Sequence, residues 1–119
     1  MTPLDRRIVL TTQANPSPTT DYVVTLDGNV AGCELRLIYV PDRLVIESSA
    51  FTRYLTMITA LPWPSLEALG VVVRDDINDV LVPRWLRVTL GQRHEGVVHS
   101  LRLEDRQPRW ANDRLLVDL

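Results

Sequence analysis

Few side chains in this sequence are equipped for covalent or acid–base chemistry. Cys33 is the one cysteine. As a thiolate it would be a nucleophile, and Asp27 could approach it through the intervening turn as an acid or base. A single Cys on a strand is more often a small buried hydrophobe, and no base adjoins it in sequence. His94-Glu95 lacks the second histidine of a helical zinc motif, and His99 stands alone on a predicted strand. Two His and one Cys make a zinc site improbable, so no metal is expected. Asp75, Asp76 and Asp79 form a carboxylate cluster whose ordinary role is the solvated face of a helix. Trp85 could stack on a planar base or fill a core. The sequence contains no Lys, which excludes Schiff-base and lysine-base chemistry. Phosphates would have to be met by Arg, hydroxyls or backbone N–H groups. No Gly-rich phosphate loop or Ser/His/Asp signature is present.

The elements that must hold these residues follow from periodicity. Arg7–Thr12 reads as a strand, Asn15–Thr20 as an extended turn and Tyr22–Leu26 as a second strand. Asp27-Gly28-Asn29 reads as the next turn. Glu34–Val40 is a third strand, with Leu35, Leu37 and Tyr39 on one face. Arg43–Glu47 follows as a short fourth. Phe51, Tyr54, Leu55 and Ile58 have helical spacing, with Ser48 or Ser49 as N-cap. Leu61-Pro62-Trp63-Pro64 ends that helix. Ser65 caps a second helix, with Glu67 in its first turn and an apolar stripe through Leu66, Leu69, Val73, Ile77, Val80 and Leu81. Gly70 in that stripe marks close packing. Arg84–Leu90 and Val97–Leu103 alternate as strands around a Gly91–Gly96 turn, and Leu115–Leu119 suggests an edge strand. The pattern predicts one domain over 1–119: an α+β fold with an antiparallel sheet and two helices packed on one face. The opposite sheet face needs cover, for which another subunit is the expected source.

Composition narrows the partners. Charged residues are 24% of the chain and the net charge is -2, which argues against nucleic acid. No apolar run is long enough for a membrane span. Met1–Arg7 lacks the apolar core of a signal peptide, so the expected location is cytoplasmic.

Five collinear segments carry a resemblance. They are Asn15-Pro16-Ser17-Pro18, Tyr39-Val40-Pro41-Asp42, Glu47-Ser48-Ser49, Tyr54-Leu55 and Pro83-Arg84-Trp85-Leu86-Arg87. Their order and spacing resemble the 7-cyano-7-deazaguanine reductases, the NADPH-dependent nitrile oxidoreductases of queuosine biosynthesis. The resemblance implies the tunnelling fold, in which subunits close their sheets into an oligomeric barrel and rings stack, with active sites between subunits. It implies a small planar heterocycle as ligand, bound by a glutamate at the start of the second helix. That glutamate corresponds to Glu67, preceded by Leu66 where the family has His. Glu47, Ser48 and Trp85 complete the implied binding set. Ser49, Arg53 and Arg93 are what remains for the NADPH phosphates. The family's two lysines are replaced by Ser49 and Thr52, and an arginine by Glu95, so NADPH binding should be weak. The family nucleophile is a Cys in a Cys-Pro loop, shortened here to Asp27–Gly32. Cys33 falls just after it. The expected function is binding of a purine-like or pterin-like ring at a subunit interface without thioimide chemistry. The alternatives are an active reductase using Cys33, or a non-catalytic assembly protein.

Overall fold

The computed structural model describes all 119 residues. A four-stranded antiparallel sheet has the order β2-β3-β5-β6, with β2 at Val24–Val30, β3 at Cys33–Val40, β5 at Trp85–His94 and β6 at Val97–Arg106. Helices α2 (Ser48–Thr59) and α3 (Leu66–Leu81) cover one face. A small ribbon pairs β1 (Thr12–Ala14) with β4 (Leu44–Ile46), and short helices α1 (Pro3–Arg7) and α4 (Asp113–Leu116) lie near the termini. The expected α+β fold class is present. No helix is long and apolar enough to cross a membrane.

Alternation builds the core. Leu35, Leu37 and Tyr39 of β3 and Leu86, Val88 and Leu90 of β5 turn towards the helices. They meet Phe51, Tyr54, Leu55 and Ile58 of α2 and Leu66, Leu69, Val73, Ile77 and Leu81 of α3. Ser65 caps α3 through its hydroxyl, and α3 stops at Val82, in the left-handed region just before Pro83. Gly70 allows the close approach expected of it: a Cβ there would lie 2.7 Å from Leu101 Cδ1 and 2.9 Å from Leu103 Cδ1.

Several local expectations fail for identifiable reasons. Asp27-Gly28-Asn29 is inside β2, not a turn. Gly28 serves close packing there: a Cβ would lie 2.5 Å from Leu55 Cδ1 on α2, and that side chain would have to shift. The turn falls instead at Ala31-Gly32, where both residues have positive φ, as a two-residue hairpin requires. Likewise β5 runs on to His94, and Glu95-Gly96 makes the turn. Residues 7–12 are not a strand: the Thr2/Asp5 capping box and Pro3 start α1, and only Thr12 reaches β1. The N-cap of α2 is Glu47, not Ser48 or Ser49, and its carboxylate takes the Thr11 hydroxyl instead of capping. The tail forms α4, capped by Asn112, instead of a strand.

That tail corrects a further expectation. It lies on the sheet face away from α2 and α3, where Trp110, Leu115 and Leu116 cover Ile38, Val40 and Trp85. One end of that face is therefore covered by the chain itself. Asp76 is a correction too. It is 0% exposed and accepts bonds from Arg6, from Arg7 and, at 2.6 Å, from the Tyr54 hydroxyl. Asp75 and Asp79 remain exposed, as a solvated face requires. The buried carboxylate ties α1 and α2 to α3, and α1 supplies its counter-charge. Burial and the Asp76 bond push the Tyr54 phenol far above its ordinary value, so it remains a donor.

Candidate functional site

The sheet has two chemically different ends. At the end where β3 finishes and β5 begins, three of the five resembling segments converge. Arg84 donates to Asp21 at 3.0 Å, to Asp42 at 3.3 Å and to the carbonyls of Thr20 and Pro18. Asn15 donates to the Asp42 carbonyl and accepts from Tyr22 and from the Ser17 amide. Asp21 takes further bonds from Trp110 and Asn112, and these with Arg84 hold its carboxyl below the usual range. Asn15-Pro16-Ser17-Pro18, Tyr39-Val40-Pro41-Asp42 and Pro83-Arg84-Trp85 thus meet in one structural staple.

The other end, seven residues further along β5, carries a different polar row. Cys33 on β3, Gln92 on β5 and His99 on β6 face the helical layer. The Cys33 thiol donates to Gln92 Oε1 at 3.4 Å and to the Ala31 carbonyl at 3.7 Å. Gln92 stands opposite His99 in the ladder. His99 Nε2–H in turn donates to Glu67 Oε2 at 3.0 Å, since an ionised carboxylate can only accept. The Glu67 backbone amide and His99 hold that carboxyl below its ordinary value. The Glu67 side chain is 62% exposed in the single chain. Beside this row lies a pocket of about 330 Å³ walled by Leu61, Trp63, Pro64, Leu66 and Leu69, with Cys33, Ser65 and Gln92 as its polar lining. The Trp63 indole is fixed by donating to the Ile58 carbonyl at 2.7 Å.

The structure separates the remaining predicted site residues. Asp27 does not approach Cys33. It stands opposite Arg36 in the ladder and pairs with it at 2.7 Å, on the face away from α2 and α3, whereas Cys33 packs under the helices. Burial pushes the Cys33 thiol up, and its partners are acceptors, not a base. Trp85 is 1% exposed beneath the tail, so it presents no free face for stacking within the chain. The Arg87 guanidinium lies 5.2 Å from its ring centre, and its indole nitrogen is buried without a partner. Glu47 and Ser48 sit at the start of α2, by β4 and the staple end. Thr59, at the other end of α2, meets Ala31 beside Cys33. A 12-residue helix, roughly 18 Å long, therefore separates them from the Cys33 end. Ser49 and Arg53 are exposed on α2, and Arg93 is on the far side of the sheet. Within one chain these three do not converge, and they do not fit the phosphates of a dinucleotide. No group of three or more His, Cys, Asp or Glu side chains is placed to hold a metal.

Sequence reasoning missed the His99–Glu67 pair. The signal was available: with β5 and β6 in register, an inward residue near the hairpin tip must meet the first turn of a helix packed across it. Leu66 leaves no histidine before Glu67, and His99 approaches from β6 instead.

An antiparallel sheet carrying two long helices on one face is also the architecture of the archaeosine synthase QueF-Like in its apo form. The two superpose with a TM-score of 0.61 at 18% identity, over 72% of this chain and 95% of that one. No protein-family model matches. A protein named NADPH-dependent 7-cyano-7-deazaguanine reductase from Acidithiobacillus ferrooxidans is 29% identical over 119 aligned residues, covering 89% of this chain and 83% of the relative. One of the same name from Syntrophus aciditrophicus is 28% identical over 122, covering 86% and 81%. Over most of its length the chain is thus similar to the 7-cyano-7-deazaguanine reductases, which supports a divergent member of that family.

Proposed function

We propose that this chain binds a purine-like or pterin-like ring between copies of itself and has lost the thioimide nitrile reduction. The Glu67 carboxylate carries the reading. It is ionised, held by one oxygen and otherwise open. A carboxylate so placed accepts a ring N–H and a neighbouring exocyclic amine together, and charge assistance strengthens both bonds.

Loss of the reaction is supported by the surroundings of Cys33. A buried thiol without a base forms little thiolate, and the carboxylate expected to serve it is on the other sheet face. The separation of Ser49 and Arg53 from Arg93 argues likewise against NADPH within one chain. Self-association is supported by strand parity. With four antiparallel strands, β2 and β6 are free edges that run in opposite directions. The β6 edge of one copy can therefore continue antiparallel onto the β2 edge of the next, and repetition closes a ring. Such a ring would bring the Glu67 end of one copy towards surfaces of another, and Glu47 and Ser48 could join the site only in that way.

The test is a thermal-shift screen with 7-cyano-7-deazaguanine, guanine and a pterin. At a hundredfold excess over Kd, a ligand stabilises by about 2.7 kcal/mol, a shift on the order of 10 °C for a domain of this size. Glu67→Ala should abolish it. The reading fails when no compound shifts the wild type, or when Glu67→Ala responds like it. NADPH oxidation with 7-cyano-7-deazaguanine that disappears in Cys33→Ala would instead establish the active-reductase alternative.

A further inference from the structure

Glu67 has an unusual combination of surroundings. It is largely in solvent, yet its carboxylate is fixed by a side chain from another element. A glutamate in the first turn of a helix ordinarily samples several rotamers, and a ligand must freeze them on binding. His99 removes that freedom beforehand. Its backbone is locked in the β5–β6 ladder opposite Gln92, and Gln92 is itself held through its side-chain oxygen by the Cys33 thiol. The imidazole is thus mounted on the most extensively paired hairpin of the molecule, where ten successive residue pairs face each other.

We propose that His99 is the positioning residue for ligand recognition by Glu67. It anchors Oε2 and leaves Oε1, with the remaining lone pair of Oε2, set in one plane for two adjacent N–H donors. The inference rests on the ring-binding reading of Glu67 and extends it to specificity. A freely rotating carboxylate accepts one donor nearly as well as two. A fixed one favours heterocycles that present a ring N–H beside an exocyclic amine, such as guanine, over those that lack the amine, such as hypoxanthine. The partner group is a hydrogen-bond donor, so the role needs the N–H and not the imidazole ring as such.

Two variants separate positioning from packing. His99→Gln keeps a donor at a reach similar to that of Nε2, and His99→Leu keeps bulk without one. The pair is at the surface, where such contacts contribute little to stability, so both should fold with the wild-type melting temperature. By calorimetric titration, His99→Leu should bind guanine about tenfold more weakly, and its preference for guanine over hypoxanthine should collapse. His99→Gln should retain both affinity and preference. In parallel, the imidazole 15N resonances of His99 in the ligand-free protein should move on Glu67→Gln. Unchanged affinity and selectivity in His99→Leu, or equal losses in the two His99 variants, would overturn the assignment. So would a His99 spectrum indifferent to Glu67→Gln. Failure of the wild type to bind any heterocycle refutes ring binding itself, and the spectroscopic comparison then decides alone whether His99 fixes the carboxylate.

Discussion

Replacing Asp76 with Ala removes the one carboxylate that joins α1, α2 and α3. Arg6 and Arg7 would lose their shared partner, and the Tyr54 hydroxyl would be left buried without an acceptor. Breaking a buried ion pair costs about 3–5 kcal/mol, and orphaning a buried hydroxyl about 1–3 kcal/mol. The terms overlap, because one carboxylate serves all three donors. The arginine side chains also keep some access to water, at 12% and 25% exposure. A net loss of about 3–4 kcal/mol follows, a large share of the roughly 5–15 kcal/mol available to a domain. With a urea m-value of about 1.5 kcal/mol/M, the midpoint should fall by about 2 M. Tyr54→Phe alone should cost about 1 kcal/mol. The double variant should cost less than the sum by a similar amount, because no hydroxyl is then orphaned. Hydrogen exchange should show loss of protection at the Arg6 and Ile8 amides, which donate to the Thr2 and Leu4 carbonyls of the α1 turn. A loss below about 1 kcal/mol for Asp76→Ala, or strict additivity with Tyr54→Phe, would refute this account of the carboxylate.

Three further outcomes are expected. Gly70→Ala gains about 1 kcal/mol of helix propensity but crowds Leu101 and Leu103 at a cost of about 1–3 kcal/mol, so the melting temperature should fall by a few degrees; a rise would show that these side chains yield freely. Burial keeps the Cys33 thiol protonated, so alkylation by iodoacetamide near neutral pH should be at least about tenfold slower than in the urea-unfolded chain, and equal rates would contradict the burial. The Asp21 carboxyl is depressed by Asn112, Trp110 and Arg84; its stabilising contribution is present above the ordinary Asp value of about 3.9 and is lost as pH falls through the lower folded value. The Trp110 indole N–H resonance should therefore shift below about pH 4, and Asp21→Asn should remove the pH dependence of that shift.

The sheet and its two helices were legible because their signals are periodic. Leu35, Leu37 and Tyr39 alternate, and Leu66, Leu69, Val73 and Ile77 recur at helical spacing. Each pattern records a burial direction. Turn positions were harder to read, because a glycine that serves close packing has the same letter as one that serves a bend. Gly28 beside Asp27 and Asn29 spells a turn, yet it lies flat under Leu55. Asp76 was misread for a different reason. Its spacing from Leu69 and Val73 puts it on the buried face of α3, unlike Asp75, but the counter-charges that let a carboxylate sit there are about 70 residues away on α1. The Glu67–His99 contact is equally non-local, and so depends on the register of a hairpin. The resembling motifs revealed the scaffold because three of the five form the Arg84 staple, which is remote from Cys33 and Glu67.

The unpaired edges β2 and β6 have a consequence for how the protein fails. A head-to-tail contact closes only when the rotation per copy divides a full turn; otherwise it propagates. On the proposed edge-to-edge association of β6 with β2, substitutions that flatten the sheet should therefore yield growing filaments, visible by electron microscopy and by rising light scatter, in place of inert single chains.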